Sequence, residues 1–189
     1  MRRLMLAGLI LVAGGCRKEE EAKAGLVPTK AVVAGQNLIG FDEKTGAFSC
    51  LAPADWKAME DVEVGPMVMF FGPMDGPRRG KTSIGITRYP GTADPFKTPQ
   101  ELWDALISGP RPSPLEKRIF GTQEAYVFHL ESPHRAPGSR ITLYMDREDS
   151  AMIPFKDGFF ELTHSAPADS YKDTLPVFEA MVASFQPKR

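Results

Sequence analysis

Phe48-Ser49-Cys50-Leu51-Ala52-Pro53-Ala54-Asp55-Trp56 reads as a short apolar strand that a proline ends and a large aromatic ring follows. Proline brings no ladder donor, so pairing stops at Pro53, and the ring of Trp56 is then placed to fill core. Immediately upstream, Asp42-Glu43-Lys44-Thr45-Gly46 is a polar turn ending in glycine. It joins residues 37–41 to residues 47–51 as a hairpin. Downstream, residues 57–60 continue as strand. Residues 67–71 are apolar at every position, the pattern of a strand covered on both faces. Residues 83–89 alternate instead, with Ile84 and Ile86 on one face.

The period then changes. Thr98-Pro99-Gln100-Glu101 opens a helix in which Thr98 is the N-cap, Pro99 takes the first position, where its missing N–H costs nothing, and Glu101 completes a capping box. Leu102, Trp103, Leu106 and Ile107 form its apolar stripe, and Ser108-Gly109-Pro110 stops it. A link through Pro110, Pro112 and Pro114 leads into a long hairpin with arms at 123–131 and 140–146 and a tip at 132–138. Residues 152–155 and 159–164 flank a tight turn, Lys156-Asp157-Gly158. The last helix is entered through Pro176 and aligns Leu175, Phe178, Met181, Val182 and Phe185. Such a helix must dock its apolar side on a sheet.

The opening run resembles the first strand and Pro-x-x-Trp of the PsbP family, named for an extrinsic protein of photosystem II; Pro53 and Trp56 match that motif. The stretch from Tyr171 through Pro176-Val177-Phe178-Glu179 to Val182-Ala183-Ser184-Phe185 is similar to the family's terminal helix and its Ser-Phe ending. The resemblance covers roughly residues 41–187. It implies an α+β fold, a central twisted antiparallel β-sheet with helices packed on both faces, shared as an α/β/α sandwich with Ran-binding proteins of the Mog type. Members bind proteins or assist assembly, and few are enzymes. No functional residue carries over: Pro53 ends a strand, Trp56 fills core, and photosystem docking is not implied.

Ahead of this domain, Arg2 and Arg3, an apolar run over residues 4–12 and Val12-Ala13-Gly14-Gly15-Cys16 make a three-part secretory signal. The run is too short for a bilayer, which takes ~20 apolar residues to cross. The small residues before Cys16 resemble a lipobox, although Ala13 stands where that motif usually has leucine. The resemblance implies cleavage after residue 15 and two or three acyl chains, palmitate among them, on Cys16. Two chains anchor stably where one does not. The expected organisation is a signal peptide at 1–15, the acylated cysteine and a flexible tether at 16–36, and one globular domain at 37–189. Residues 17–36 hold a charged cluster followed by small residues with no aromatic, which is tether composition. Arg17 in place of aspartate after Cys16 resembles outer-membrane sorting in diderm bacteria, facing the periplasm. Losing Arg2 and Arg3 leaves 21 basic residues against 24 acidic, a net charge of −3, which excludes nucleic acid as a partner. Lipidation uses the sulfur of Cys16, so Cys50 has no disulfide partner in its own chain and reads as a small buried hydrophobe.

No catalytic, cofactor or metal site is legible. Gly80-Lys81-Thr82 looks like the end of a phosphate-binding loop, but the spacing needs glycine where Asp75 stands, and a strand follows instead of a helix. His129, His134 and His164 lack metal-ligand spacing. His164 with Glu161 or Asp169 could form an acid/base pair, yet no nucleophile accompanies it, and a satisfied sheet-edge histidine is the better reading. The candidate partner surface is cationic: Arg78, Arg79 and Lys81 in one hairpin tip, His134, Arg135 and Arg140 in another. If both tips lie at the same end of the sheet, they make one patch suited to an acidic protein surface or an anionic envelope polymer; solvated tips are the plainer reading. The expected function is a membrane-anchored, monomeric lipoprotein of the cell envelope with a non-catalytic protein-binding or assembly-accessory domain. The alternative is a domain holding a small apolar ligand or lipid between sheet and helix, near Met67, Met69, Phe71, Phe128 and Phe160.

Overall fold

The structure, a computed structural model, describes residues 29–60, 67–75, 79–92, 95–107, 112–135, 138, 140–156 and 158–188. The apolar run becomes β3 (Phe48–Pro53), buried along its whole length, and pairs antiparallel with β2 (Gln36–Asp42). Glu43 makes the turn between them. Its carboxylate accepts from the N–H groups of Thr45 and Ala47 and from the Thr45 hydroxyl. Burial opposes the charge, but these donors more than offset it and hold the carboxyl below its usual range.

A further strand, β1 (Lys30–Val33), pairs with β2, so the domain starts before residue 37 and the expected tether is too long at its C-terminal end. Val33 pairs directly with Gln36 across Ala34 (φ 49) and Gly35 (φ 78), a two-residue hairpin turn with both central residues in the left-handed region. Alanine is not the residue that normally announces such a turn. With β11 (Gln186–Pro187), these strands form a four-stranded sheet ordered β1-β2-β3-β11.

The main sheet has seven antiparallel strands: β4 (Lys57–Glu60), β5 (Val68–Gly72), β6 (Thr82–Tyr89), β7 (Glu116–Phe120), β8 (Gln123–Arg135), β9 (Thr142–Phe155) and β10 (Gly158–Pro167), ordered β4-β5-β6-β10-β9-β8-β7. Helix α2 (Tyr171–Ser184) and the smaller sheet cover one face, packing Val177, Phe178, Met181 and Val182 with Phe48 and Cys50 against Ile84, Ile153, Phe160 and Leu162. Helix α1 (Pro99–Leu106) covers part of the other, setting Leu102 on Phe128, Met152 and Phe159. The fold is α+β with a helix on each face of an antiparallel sheet. The second sheet beside α2 is an addition to the expected arrangement.

Three local expectations change. Strand β5 has Val68 and Phe70 in the core, while Met69 and Phe71 are half-buried, so only one of its faces is fully covered. The segments expected at 140–146 and 152–155 are one continuous strand, β9, because the charged run between them finds partners on both faces of the sheet. Helix α2 begins at Tyr171, five residues before Pro176, which lies inside it. The turn before it is closed by the Ser170 N–H donating to the Pro167 carbonyl. The α1 start matches expectation: the Glu101 N–H donates to Thr98 Oγ1 at 3.2 Å. The Glu101 carboxylate, however, takes the N–H of Lys97, one residue further back than a capping box requires.

Candidate functional site

Three polar features lie on the main sheet, and all involve the run Asp146-Arg147-Glu148-Asp149 of β9 or the strand ends beside it. Successive side chains of a strand face opposite ways. Arg147 and Asp149 therefore turn toward α2, and Glu148 toward the α1 side.

On the α2 side the Tyr171 hydroxyl donates to Asp149, and the Arg147 guanidinium lies 4.5 Å from the centre of the Tyr171 ring. His164 Nε2 is 2.9 Å from Thr174 Oγ1, and its Nδ1 stands 3.9 Å from Asp149, an electrostatic separation and not a hydrogen bond. Burial works against the Asp149 charge, but His164, Tyr171 and Arg147 outweigh it and hold the carboxyl below its usual range. Burial, together with the Asp149 carboxylate, pushes the Tyr171 phenol up. His164 is fully buried and stacks on Phe178, 5.4 Å between centres. No substrate can reach it, so this cluster is a polar seam that fastens the first turn of α2 to β9 and β10. The partner expected for His164 is corrected here. Glu161 faces the other side of the sheet, where Ser150 and Tyr89 hydroxyls donate to it at 2.9 and 3.2 Å, and Asp169 lies in the turn after β10. The carboxylate beside His164 is Asp149, placed directly across from it by the β9–β10 register.

On the other face, beyond the reach of α1, Met69, Ser83, Gly85, Thr87, Thr163 and Ser165 line an open groove of about 360 Å³ with Glu148 at its side. Burial, then the charges of Glu161, Asp146 and Asp149, push Glu148 up to about 6 from the usual 4.5. A raised carboxylate favours the fold when protonated. That contribution is complete below about pH 4.5 and is lost as pH rises through about 6. The ionised form therefore costs ~2 kcal/mol at neutral pH. Glu148→Gln should make the protein more stable than the parent above pH 6 by up to about 2 kcal/mol, with the difference vanishing near pH 4. Urea titrations across that range check it; a pH-independent difference would contradict it.

The third feature is the end of the sheet. The registers put Ser83, Ser165, Glu148 and Leu130 in one row across β6, β10, β9 and β8. The β5–β6 connection and the β8–β9 tip both lie beyond that row, at the same end. Lys81 Nζ is 5.9 Å from the centre of the Tyr144 ring, Tyr144 stacks on His134 at 4.4 Å, and His134 Nδ1 meets Asp146 at 3.1 Å. Arg79, Lys81, His134, Arg135 and Arg140 are all exposed at this end. Arg78 and Cys16 lie outside the described residues. The sequence reading missed what stands beside these cations: Ile141, Leu143 and Met145 are exposed by 68%, 57% and 39%. The sequence marks this stretch only as an arm of the long hairpin.

Between α2 and β7–β8, Phe120, Val127, Leu175 and Phe178 wall a space of only about 10 Å³, room for a single water and not for an apolar ligand. Cys50 is fully buried, and burial followed by the Asp42 charge pushes its thiol to about 12, so it is unreactive. Among the described residues no group of three or more His, Cys, Asp and Glu side chains could hold a metal ion. No helix among them is long and apolar enough to cross a membrane.

No protein-family model matches the sequence, and no curated protein matches it. Solved structures do resemble the fold. Cyanobacterial PsbP (CyanoP) from Synechocystis superposes with a TM-score of 0.51 at 13% identity, over 88% of this chain and 96% of that one. The Ran-binding protein Mog1p of Saccharomyces cerevisiae gives 0.52 at 12% identity, over 80% and 96%. LpqN of Mycobacterium tuberculosis, involved in cell envelope biogenesis, gives 0.53 at 14% identity, over 80% and 91%. At these identities the likeness is one of fold.

Proposed function

We propose that this chain is a lipid-anchored, non-catalytic binding or assembly-accessory protein of a bacterial cell envelope. Cys16 carries the acyl chains, and the end of the sheet bearing Arg79, Lys81, His134, Arg135 and Arg140 is the contact surface. The observation that carries the reading is the convergence of two cationic tips at one end of a chain whose overall charge is −1. A partner bearing negative charge suits such an end, and guanidinium groups give it multidentate donors. The burial of His164, and of the Thr174 hydroxyl that meets its Nε2, argues against chemistry there. Fold likeness to LpqN and to PsbP supports an envelope or membrane-associated setting for an accessory role. The working unit in this reading is a monomer.

Replacing Arg79, Arg135 and Arg140 with serine should leave the melting temperature nearly unchanged, since all three are exposed. It should weaken capture of partners from detergent-solubilised envelopes, and added salt should weaken capture by the parent in the same way. Undiminished capture by the triple variant would remove this end from consideration.

A further inference from the structure

We infer that the outer end of the β8–β9 ribbon enters the surface of an anionic lipid bilayer, with Ile141 and Leu143 at the headgroup–acyl boundary and Arg79, Lys81, Arg135 and Arg140 on lipid phosphates. This rests on the reading that the cationic end is the contact surface, and names what it meets.

The ribbon is built to protrude. The ladder between β9 and β10 ends at Asp146↔Pro167, so further out β9 pairs with β8 alone. Pairing steps from His134↔Tyr144 to Arg135↔Thr142, skipping Leu143, and such a bulge bends and twists a ribbon. Along this stretch apolar exposure climbs toward the tip, from 39% at Met145 to 57% at Leu143 and 68% at Ile141. A strand serving a core would show the reverse.

Basic side chains predominate beside these residues, with Asp75 an exposed acid in the same β5–β6 connection as Arg79 and Lys81. Two of the acids nearby are engaged, Asp146 by His134 and Glu131 by Arg147. None of the ion pairs among the described residues takes up Arg79, Lys81, Arg135 or Arg140. Tyr144 lies at the base, a ring type that favours the membrane–water boundary.

Shape decides between lipid and protein. A specific protein contact buries about 800 Å² on each side, more than a two-stranded tip offers, whereas a bilayer interface accepts an apolar wedge to a depth of about 5–10 Å. Two residues of strand advance ~7 Å, so Ile141 and Leu143 together span that depth. Basic groups near an anionic surface add attraction that salt screens.

The test uses the chain from residue 16 onward with Cys16→Ser, which carries no acyl group, in sedimentation with vesicles. Vesicles of mixed phosphatidylglycerol and phosphatidylcholine should bind it, and phosphatidylcholine alone should bind it much more weakly. Ile141→Ser with Leu143→Ser should weaken binding by about tenfold or more, since each leaves a large apolar side chain out of the interface. The melting temperature of that variant should match its parent. Binding should also fall as salt is raised. Equal binding by the apolar double variant, or equal binding to neutral vesicles, would overturn the lipid assignment. So would absence of vesicle binding; if the arginine triple variant then still loses partner capture, the contact surface stands and its partner is a protein.

Discussion

Trp56→Ala should cost the fold about 3 to 5 kcal/mol. The ring is 6% exposed and belongs to the main core cluster, where it lies against Gly72 of β5. Its fit is tight: a Cβ added at Gly72 would lie 2.3 Å from the ring, so glycine at 72 is required by the close approach of the indole. Gly72→Ala should therefore also destabilise strongly, because one of two rigid groups must move. Trp56→Phe should cost far less, since it keeps an aromatic face and removes an indole N–H that finds no acceptor among the described residues. Denaturant melts of the three variants check the set. An unchanged midpoint for Trp56→Ala would mean that the ring does not fill core.

The parts of the fold that were legible in the sequence have local causes. The β2–β3 hairpin announces itself through Gly46 and the polar run before it, and α1 through Thr98 and Pro99, all within a few residues of what they shape. Strand β9 is different. Its Asp146-Arg147-Glu148-Asp149 run reads as a break because four charged residues do not normally enter a sheet. They are accommodated by residues far along the chain: Asp149 by Tyr171 and His164, Arg147 by Glu131 and the Tyr171 ring. No local pattern reports those partners. The cations of the proposed contact surface were legible one by one. What brings Arg79 and Lys81 to the end that holds Arg135 and Arg140 is the strand order β6-β10-β9-β8, set by long-range pairing. The apolar tip was missed for a related reason: nothing local reports that β10 stops at Pro167 and leaves the edge of β9 without a neighbour beyond it.

The second large effect concerns Cys16, and it is all-or-none. Its thiol is the sole acyl acceptor in the proposed signal, and the contact proposed for the ribbon tip is weak and reversible beside two acyl chains. Cys16→Ala should thus abolish acylation and leave the leader of residues 1–15 uncleaved. The decisive measurement is metabolic labelling with a fatty acid, in parallel for the parent and Cys16→Ala. The parent should carry label, run at the size of the processed chain and sediment with membranes; the variant should carry none and run as the longer precursor. Label retained by Cys16→Ala, or absent from the parent, would contradict the anchored-lipoprotein account.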